Sequence, residues 1–360
     1  MLKQAHRQMR EGAARGVFPG GVLLVSQKGR VRLFEAYGYA SLFSRRRMTR
    51  DTVFDLASLT KPLATTLAVM TLTEAGGLSL SQRLDTLLPE ARKTDKGAIR
   101  VEQLLGHTSG LPAFRPYYFR IGPLPCPLRK QHLRGLLIRE PLAYRSGQRT
   151  VYSDLGFMML EWVIERVAGK PLDRFLRDQI YGPLGLEHLF FTDGEAGVPV
   201  RAEQVAATEW CPWRGRLLQG VVHDGNAYAV NGVQGHAGLF GTAENVFRLL
   251  AELLAICLGN APRALFRQET LLRFWAPYRN SGRSLGFDRP SDIGASCGRF
   301  FSEKTVGHLG FTGTSFWIDP EREVIVVLLT NRIHPSRNNL RIRSFRPELH
   351  DAVMAEILGK

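Results

Sequence analysis

The strand-forming stretches of this chain lie at its two ends, and that placement constrains the fold more than any other feature. Residues 22–27 and 31–39 are apolar and aromatic runs about a Lys28-Gly29 turn, which reads as a hairpin. At the far end, 305–318 and 324–330 form a second pair of β-branched runs, joined by Asp319-Pro320-Glu321-Arg322. Between them the pattern is mostly helical. Residues 59–75 end at Gly76-Gly77, 155–167 are stopped by Gly169, and 171–180 and 243–258 follow. Residues 2–16 and 347–358 read as terminal helices, 52–56 as a short extended piece, and 110–149, rich in Pro, Gly and Arg, as a long irregular loop. The simplest architecture is α+β: an antiparallel β-sheet flanked by helices, with an inserted all-α domain. The expected boundaries are 1–60 and 275–360 for the sheet domain and 61–274 for the mainly helical insertion. An active-site cleft is expected between the two.

Composition matters chiefly through charge. The 360 residues carry 48 Lys and Arg against 33 Asp and Glu, a net +15. The densest basic run is Arg45-Arg46-Arg47 with Arg50, and a looser one is Arg337, Arg341, Arg343 and Arg346. No nucleic-acid-binding motif accompanies them, so they read as solvated surface and no nucleic-acid partner is expected. The four cysteines, Cys126, Cys211, Cys257 and Cys297, form no C-x-x-C pair and read as reduced thiols. The first twenty residues are polar and charged, with no apolar core of a signal peptide. The run 21–25 is far short of the ~20 residues that a membrane-spanning helix needs. A cytoplasmic chain without membrane contact is expected, or a periplasmic one were it trimmed from a longer precursor.

Three short motifs carry the candidate chemistry. Ser58-Leu59-Thr60-Lys61 is the only S-x-x-K in the chain, and it lies where an extended piece gives way to a helix, with Pro62 suited to the first turn. Residues three apart share a helix face, so Lys61 is expected beside the Ser58 hydroxyl. Unpaired N–H groups at the helix start favour an oxyanion near Ser58. The same field, with burial, disfavours Lys61 as a cation, and a neutral Lys61 is expected to take the serine proton. Tyr152-Ser153-Asp154 sits at a loop-to-helix junction, where a tyrosine could relay that proton. The third motif is Val306-Gly307-His308-Leu309-Gly310-Phe311-Thr312-Gly313-Thr314, a strand-like run whose glycines mark close approach of a ligand or another backbone. His308 is expected to meet a polar or anionic substrate group, with a charge that depends on pH near 6.5.

In order and context these pieces resemble the serine β-lactamase and penicillin-binding-protein-like hydrolases, in their class C-like branch with esterases and D-aminopeptidases. Ser58-x-x-Lys61 is similar to the first family motif. Tyr152-Ser153-Asp154 is similar to the second, usually Tyr-x-Asn. His308-Leu309-Gly310 is similar to the third, Lys-Thr-Gly in true β-lactamases and His-x-Gly in many relatives. The phrases 54–57, 104–111 and 238–243 also resemble the family, and the likeness spans 5–357. The resemblance implies a serine hydrolase with an acyl-enzyme intermediate. Ser58, Lys61 and Tyr152 would be catalytic. Asp154, His308, Gly310 and Phe311 would shape the substrate and oxyanion subsites, with the Phe311 N–H in the oxyanion hole. No cofactor or metal is called for; a metal role for His223, Asp224 and His236 is the minor reading beside a structural or substrate-contact one.

Asp154 stands where the family has an amide donor, and His308 where it has a fixed cation. An ionised carboxylate cannot donate a hydrogen bond. The expected substrates are therefore small-molecule esters, amides or D-amino-acid peptides rather than β-lactams. A class C-type β-lactamase or a D,D-peptidase acting on cell-wall peptides is the alternative within the family. A catalytically weak ligand-binding protein on the same scaffold is the alternative of another class. The sequence leaves the oligomeric state open.

Overall fold

The computed structural model describes residues 2–192, 198–261, 264–279, 281–291 and 294–360. Eight strands form one antiparallel sheet: β1 (Gly20–Gln27), β2 (Arg30–Ser41), β3 (Arg46–Arg47), β4 (Arg283–Ser284), β5 (Phe287–Asp288), β6 (Val306–Leu309), β7 (Ser315–Asp319) and β8 (Val324–Thr330). Their order is β3-β2-β1-β8-β7-β6-β5-β4. The two ends of the chain meet at its centre, where β1 pairs β8 from Gly21 opposite Thr330 to Gln27 opposite Val324. Both strands are apolar on both faces because both faces are covered. Leu23, Val25, Val326 and Leu328 pack against the terminal helices α1 (Lys3–Ala14) and α6 (Ile342–Leu358). Val22, Leu24, Val327 and Leu329 face the larger core, on the side of α2 (Leu67–Glu74), α4 (Asp154–Ala168) and α5 (Ala243–Cys257). This alternation is the period-two geometry of a strand.

The structure departs from the sequence reading in several places. The run 305–318 is two strands, β6 and β7, separated by a strap over 310–314 where the backbone turns back. The region 110–149 is not wholly irregular: it holds a short helix, Tyr118–Ile121, and α3 (Cys126–Arg139). The last helix begins at Ile342, with Pro347 in its second turn, earlier than the proline suggests. The mainly helical stretch also contains a small sheet of Phe54–Asp55, Leu239–Gly241 and Leu189–Phe191. Strands this short carry almost no period-two signal, so only their tertiary pairing defines them. Among the described residues, no helix is long and apolar enough to cross a membrane.

Burial holds three histidines neutral. It pushes His308 and His350 down to about 4 and His107 well below its ordinary value, against smaller upward pulls from Asp288 and then the Leu309 carbonyl on His308 and from the Ser296 carbonyl on His350. Once unfolded, each takes up a proton below about pH 6.5. Their contribution to stability is therefore present above that pH and lost as pH falls towards 4, by up to ~1.4 kcal/mol per pH unit for each histidine. The urea midpoint is expected to drop steeply between pH 6.5 and 4.5; a flat midpoint over that range would contradict the burial of these rings as neutral groups.

Candidate active site

The turn carrying Ser58 is strained and tightly held. Ala57 adopts a left-handed φ of 49°, a conformation costing a non-glycine residue about 1–3 kcal/mol. Its N–H donates to Asp55 Oδ1 at 2.8 Å, and the other oxygen of Asp55 accepts from the His223 N–H at 2.7 Å. Asp55 is fully enclosed, and burial pushes its carboxyl above the ordinary range against the pull of these donors. The Leu56 N–H donates to the Leu239 carbonyl at 3.0 Å, and Thr60 Oγ1 donates to the Ala57 carbonyl at 2.6 Å. The helix following Ser58 opens as a wide turn over Lys61–Thr66 before α2 begins.

Lys61 has no exposed side-chain surface. Its Nζ donates to Ser58 Oγ at 3.0 Å, to Asp154 Oδ1 at 2.7 Å and to the His236 carbonyl at 3.2 Å. It also lies 4.7 Å from the centroid of the Tyr152 ring. This corrects the expectation of a neutral lysine. Burial alone would lower its pKa, but the Asp154 carboxylate and Tyr152 more than offset burial, and the net shift is upward. Asp154 reaches Lys61 because Ser153, not Asp154, caps α4: Ser153 Oγ accepts from the Gly156 N–H at 3.3 Å. Tyr152 is held mostly as the phenol. Burial raises it most, Lys61 pulls it back, and Asp154 raises it again.

The strap 310–314 is tied to the serine turn by two hydroxyls. Thr312 Oγ1 donates to the Asp55 carbonyl at 2.7 Å and Thr314 Oγ1 to the Leu56 carbonyl at 3.0 Å. Arg346 donates to the Gly310 carbonyl at 3.2 Å, and Arg332 grips the Phe311 carbonyl at 2.6 and 2.9 Å. In a trans peptide the N–H points opposite the preceding carbonyl. Holding the Gly310 carbonyl therefore turns the Phe311 N–H the other way, and holding the Ala57 carbonyl does the same for the Ser58 N–H. Among the described residues, neither of these N–H groups has a protein acceptor. Gly310 has no room for a side chain: a Cβ would lie 2.0 Å from Thr314 Oγ1 and 2.6 Å from the Leu56 carbonyl.

Ser58, Tyr152, Asp154, His308, Gly310 and Phe311 all line one cleft of about 610 Å³, with Lys61 beneath Ser58. His308 differs from its expectation. Its Nδ1 meets the Leu309 carbonyl at 2.8 Å, and burial keeps the ring neutral down to about pH 4, so it is not a cation switched near 6.5. Asp224 accepts from His236 Nε2 at 2.9 Å and caps a short helix through the Ala227 N–H, while His223 stacks on Phe311. Among the described residues, no three His, Cys, Asp or Glu side chains converge as metal ligands.

Sequence reasoning passed over two supports of Tyr152. His107 Nδ1 accepts from the Ser153 N–H at 3.0 Å, and its ring lies 4.6 Å from that of Tyr152. Arg283 sits 5.2 Å from the Tyr152 centroid. His107 was visible in the 104–111 phrase, whereas nothing local marks Arg283. The looser basic run also departs from its reading as solvated surface: Arg337, Arg343 and Arg346 line the cleft, and Arg346 is buried.

Comparison with known proteins follows the same lines. The sequence model of the Beta-lactamase family matches residues 5–346. An N-acetylmuramyl-L-alanine amidase of Bacillus subtilis (strain 168) is 34% identical over 366 aligned residues, covering 92% of this chain and 81% of its own. Among solved structures, EstCE1, a hydrolase with promiscuous acyltransferase activity, superposes with a TM-score of 0.74 at 25% identity, over 96% of this chain and 98% of its own. The octameric penicillin-binding protein homologue from Pyrococcus abyssi shares the fold, with a TM-score of 0.75 at 21% identity over 100% of this chain and 78% of its own.

Removing one member of a buried ion pair strands the other. Asp154→Asn is expected to destabilise the protein by about 3 kcal/mol at pH 7 in urea denaturation. A change below about 0.5 kcal/mol would mean that the carboxylate does not support the Lys61 ammonium.

Proposed function

Because this chain belongs to the Beta-lactamase family and is a serine hydrolase with it, we propose that Ser58 is the nucleophile and that the substrates are small amides or esters, not β-lactams. The observation that carries this is Ser58 Oγ, 3.0 Å from the buried Lys61 ammonium at the floor of the cleft, with the Ser58 and Phe311 N–H groups lacking a protein acceptor among the described residues.

In this reading Ser58 Oγ attacks the substrate carbonyl and loses its proton to the Tyr152–Lys61 pair. Lys61 stays a cation and favours the Tyr152 phenolate, which accepts the proton. The Ser58 and Phe311 N–H groups hold the oxyanion. The C–N or C–O bond then breaks, and the proton passes from Tyr152 to the leaving amine or alkoxide. Water repeats the sequence on the acyl-serine. A neutral His308 and an Asp154 engaged with Lys61 leave a β-lactam without the fixed cation and the amide donor of the family motifs. The named activity of the Bacillus subtilis relative supports an amide as the scissile bond. A reducing, cytoplasmic setting accords with the four free thiols.

Ser58→Ala is expected to lower turnover of an aryl ester by at least ~10³ in a folded protein. Near-normal turnover in that variant would overturn the nucleophile. Lys61→Arg is expected to be nearly inactive, because a guanidinium forks differently from an ammonium and cannot contact Ser58, Asp154 and the His236 carbonyl together. Since both Lys61 and Tyr152 lie above their ordinary values, kcat/KM is expected to climb with pH into the alkaline range, on an apparent pKa belonging to the pair. In Asp154→Asn the loss of the carboxylate lowers both groups, so the rising limb moves to lower pH. A rising limb that stays in place would show that Asp154 does not tune the base.

A further inference from the structure

His223, Asp224 and His236 take no part in the proton transfers at Ser58, yet they close a circuit of hydrogen bonds around it. Ser58 Oγ accepts from Lys61 Nζ, which also donates to the His236 carbonyl at 3.2 Å. The His236 side chain meets Asp224 Oδ1 through Nε2 at 2.9 Å. The N–H of the preceding His223 donates to Asp55 Oδ2, and Asp55 Oδ1 accepts from the Ala57 N–H. The circuit leaves the serine turn at Lys61 and re-enters it at Ala57, next to Ser58.

Both sides of the Asp224–His236 contact are anchored from behind. Arg214 donates to the Val222 and His223 carbonyls at 2.8 and 3.1 Å, and Asp224 Oδ1 also accepts from the Ala227 N–H at 2.8 Å, which caps the short helix Gly225–Ala229. On the other side, the Gly235 carbonyl accepts from Thr65 Oγ1 at 2.6 Å and the Leu239 N–H donates to Thr60 Oγ1 at 3.1 Å. His236 lies between those two points and is 1% exposed, with its Nδ1 buried and unpartnered among the described residues. Burying an imidazole in that way is unfavourable, and an apolar side chain would avoid the penalty. What the imidazole supplies is a bond to Asp224. Burial would raise the Asp224 carboxyl, but His236 beside it more than offsets this, so the bond is made to a carboxylate.

An ammonium has three N–H donors. Lys61 meets three acceptors, Ser58 Oγ, Asp154 Oδ1 and the His236 carbonyl, so its head group is held in one orientation with one N–H aimed at Ser58. Without the carbonyl only two acceptors remain, and the head group is free to turn and lean towards Asp154. We propose that Asp224 and His236 are positioning residues for the hydrolytic reaction: their contact holds the His236 carbonyl on Lys61 and so keeps the ammonium aligned on Ser58. The inference rests on the hydrolase reading above and adds to it two residues that act through Lys61 without touching the reacting atoms.

The test compares full-length Asp224→Ser, His236→Ala, the double variant and Asp224→Asn with the unaltered protein, each kept well below its melting midpoint. Asp224→Ser retains a helix-capping oxygen but is one bond too short for His236 Nε2, and Asp224→Asn retains an acceptor at full reach. The first readout is the rate at which a small uncharged fluorophosphonate labels Ser58, a step that forms the Oγ–P bond, expels fluoride and passes the serine proton to the Tyr152–Lys61 pair. The second is kcat and KM for p-nitrophenyl acetate. Asp224→Ser and His236→Ala are each expected to slow labelling and kcat by ~10-fold or more with KM within ~2-fold, and the double variant to be no more than ~2-fold slower than either single one, as for residues acting as a unit. Asp224→Asn is expected to keep at least about a third of the rate. If His236→Ala fails to fold, Asp224→Ser decides alone. Labelling at the unaltered rate in Asp224→Ser would overturn the positioning role. So would a rise in KM with kcat and labelling unchanged, which is the mark of a direct substrate contact, or an Asp224→Asn variant as slow as Asp224→Ser. Each of these results leaves the hydrolase intact. No labelling of Ser58 in the unaltered protein would overturn the hydrolase assignment, and the positioning role with it.

Discussion

The site is organised around one buried ammonium. Lys61 has no exposed side-chain surface, yet it binds three groups brought by three separate parts of the chain: the Ser58 hydroxyl, the Asp154 carboxylate at the start of α4, and the His236 carbonyl. An unpaired ammonium at that depth would shed its proton rather than stay charged. The Asp154 carboxylate reverses that balance, so the pair is both a structural tie between elements and the setting of the local proton chemistry. Removing the Asp154 carboxylate would take away the largest upward pull on the ammonium beside Ser58.

A second tie fixes the other half of the site. The strap 310–314 hangs on the serine turn through Thr312 and Thr314, and on the wall behind it through Arg332 and Arg346. With Arg346 on the Gly310 carbonyl and Thr60 on the Ala57 carbonyl, the Phe311 and Ser58 N–H groups turn the other way and have no protein acceptor among the described residues. The arginines thus have two consequences from one placement: they orient the strap, and they bring positive charge to the cleft wall. Relative to the Tyr-x-Asn and Lys-Thr-Gly pattern of true β-lactamases, Asp154 adds a negative charge beside Lys61 and His308 removes a positive one. In this chain the positive charge lies beyond the strap instead.

Much of this was legible in the sequence, and the reasons differ by element. The sheet from both termini followed from long β-branched runs, because β1 and β8 are covered on both faces. Ser58, Lys61 and Tyr152 were legible because their motifs sit at element boundaries, where side chains project into clefts. The charge state of Lys61 was not, since it depends on Asp154, far away along the chain but 2.7 Å away in space. His308 looked like a titrating residue because sequence gives no measure of burial. Arg346 looked like surface because its run is basic and flanked by exposed Arg341 and Arg343, and only the packing of α6 against the strap encloses it. The helix in 126–139 was hidden by Pro and Arg content, although Pro at the start of a helix costs little.

The central claim is that Ser58, on a strained turn beside a carboxylate-paired lysine, forms a covalent acyl bond. Intact-protein mass spectrometry after brief exposure to a fluorophosphonate, followed by peptide mapping, tests it most directly. The account predicts one added phosphonyl group, carried by Ser58. A folded protein that remains unlabelled, or a single adduct on another residue with Ser58 free, would contradict it.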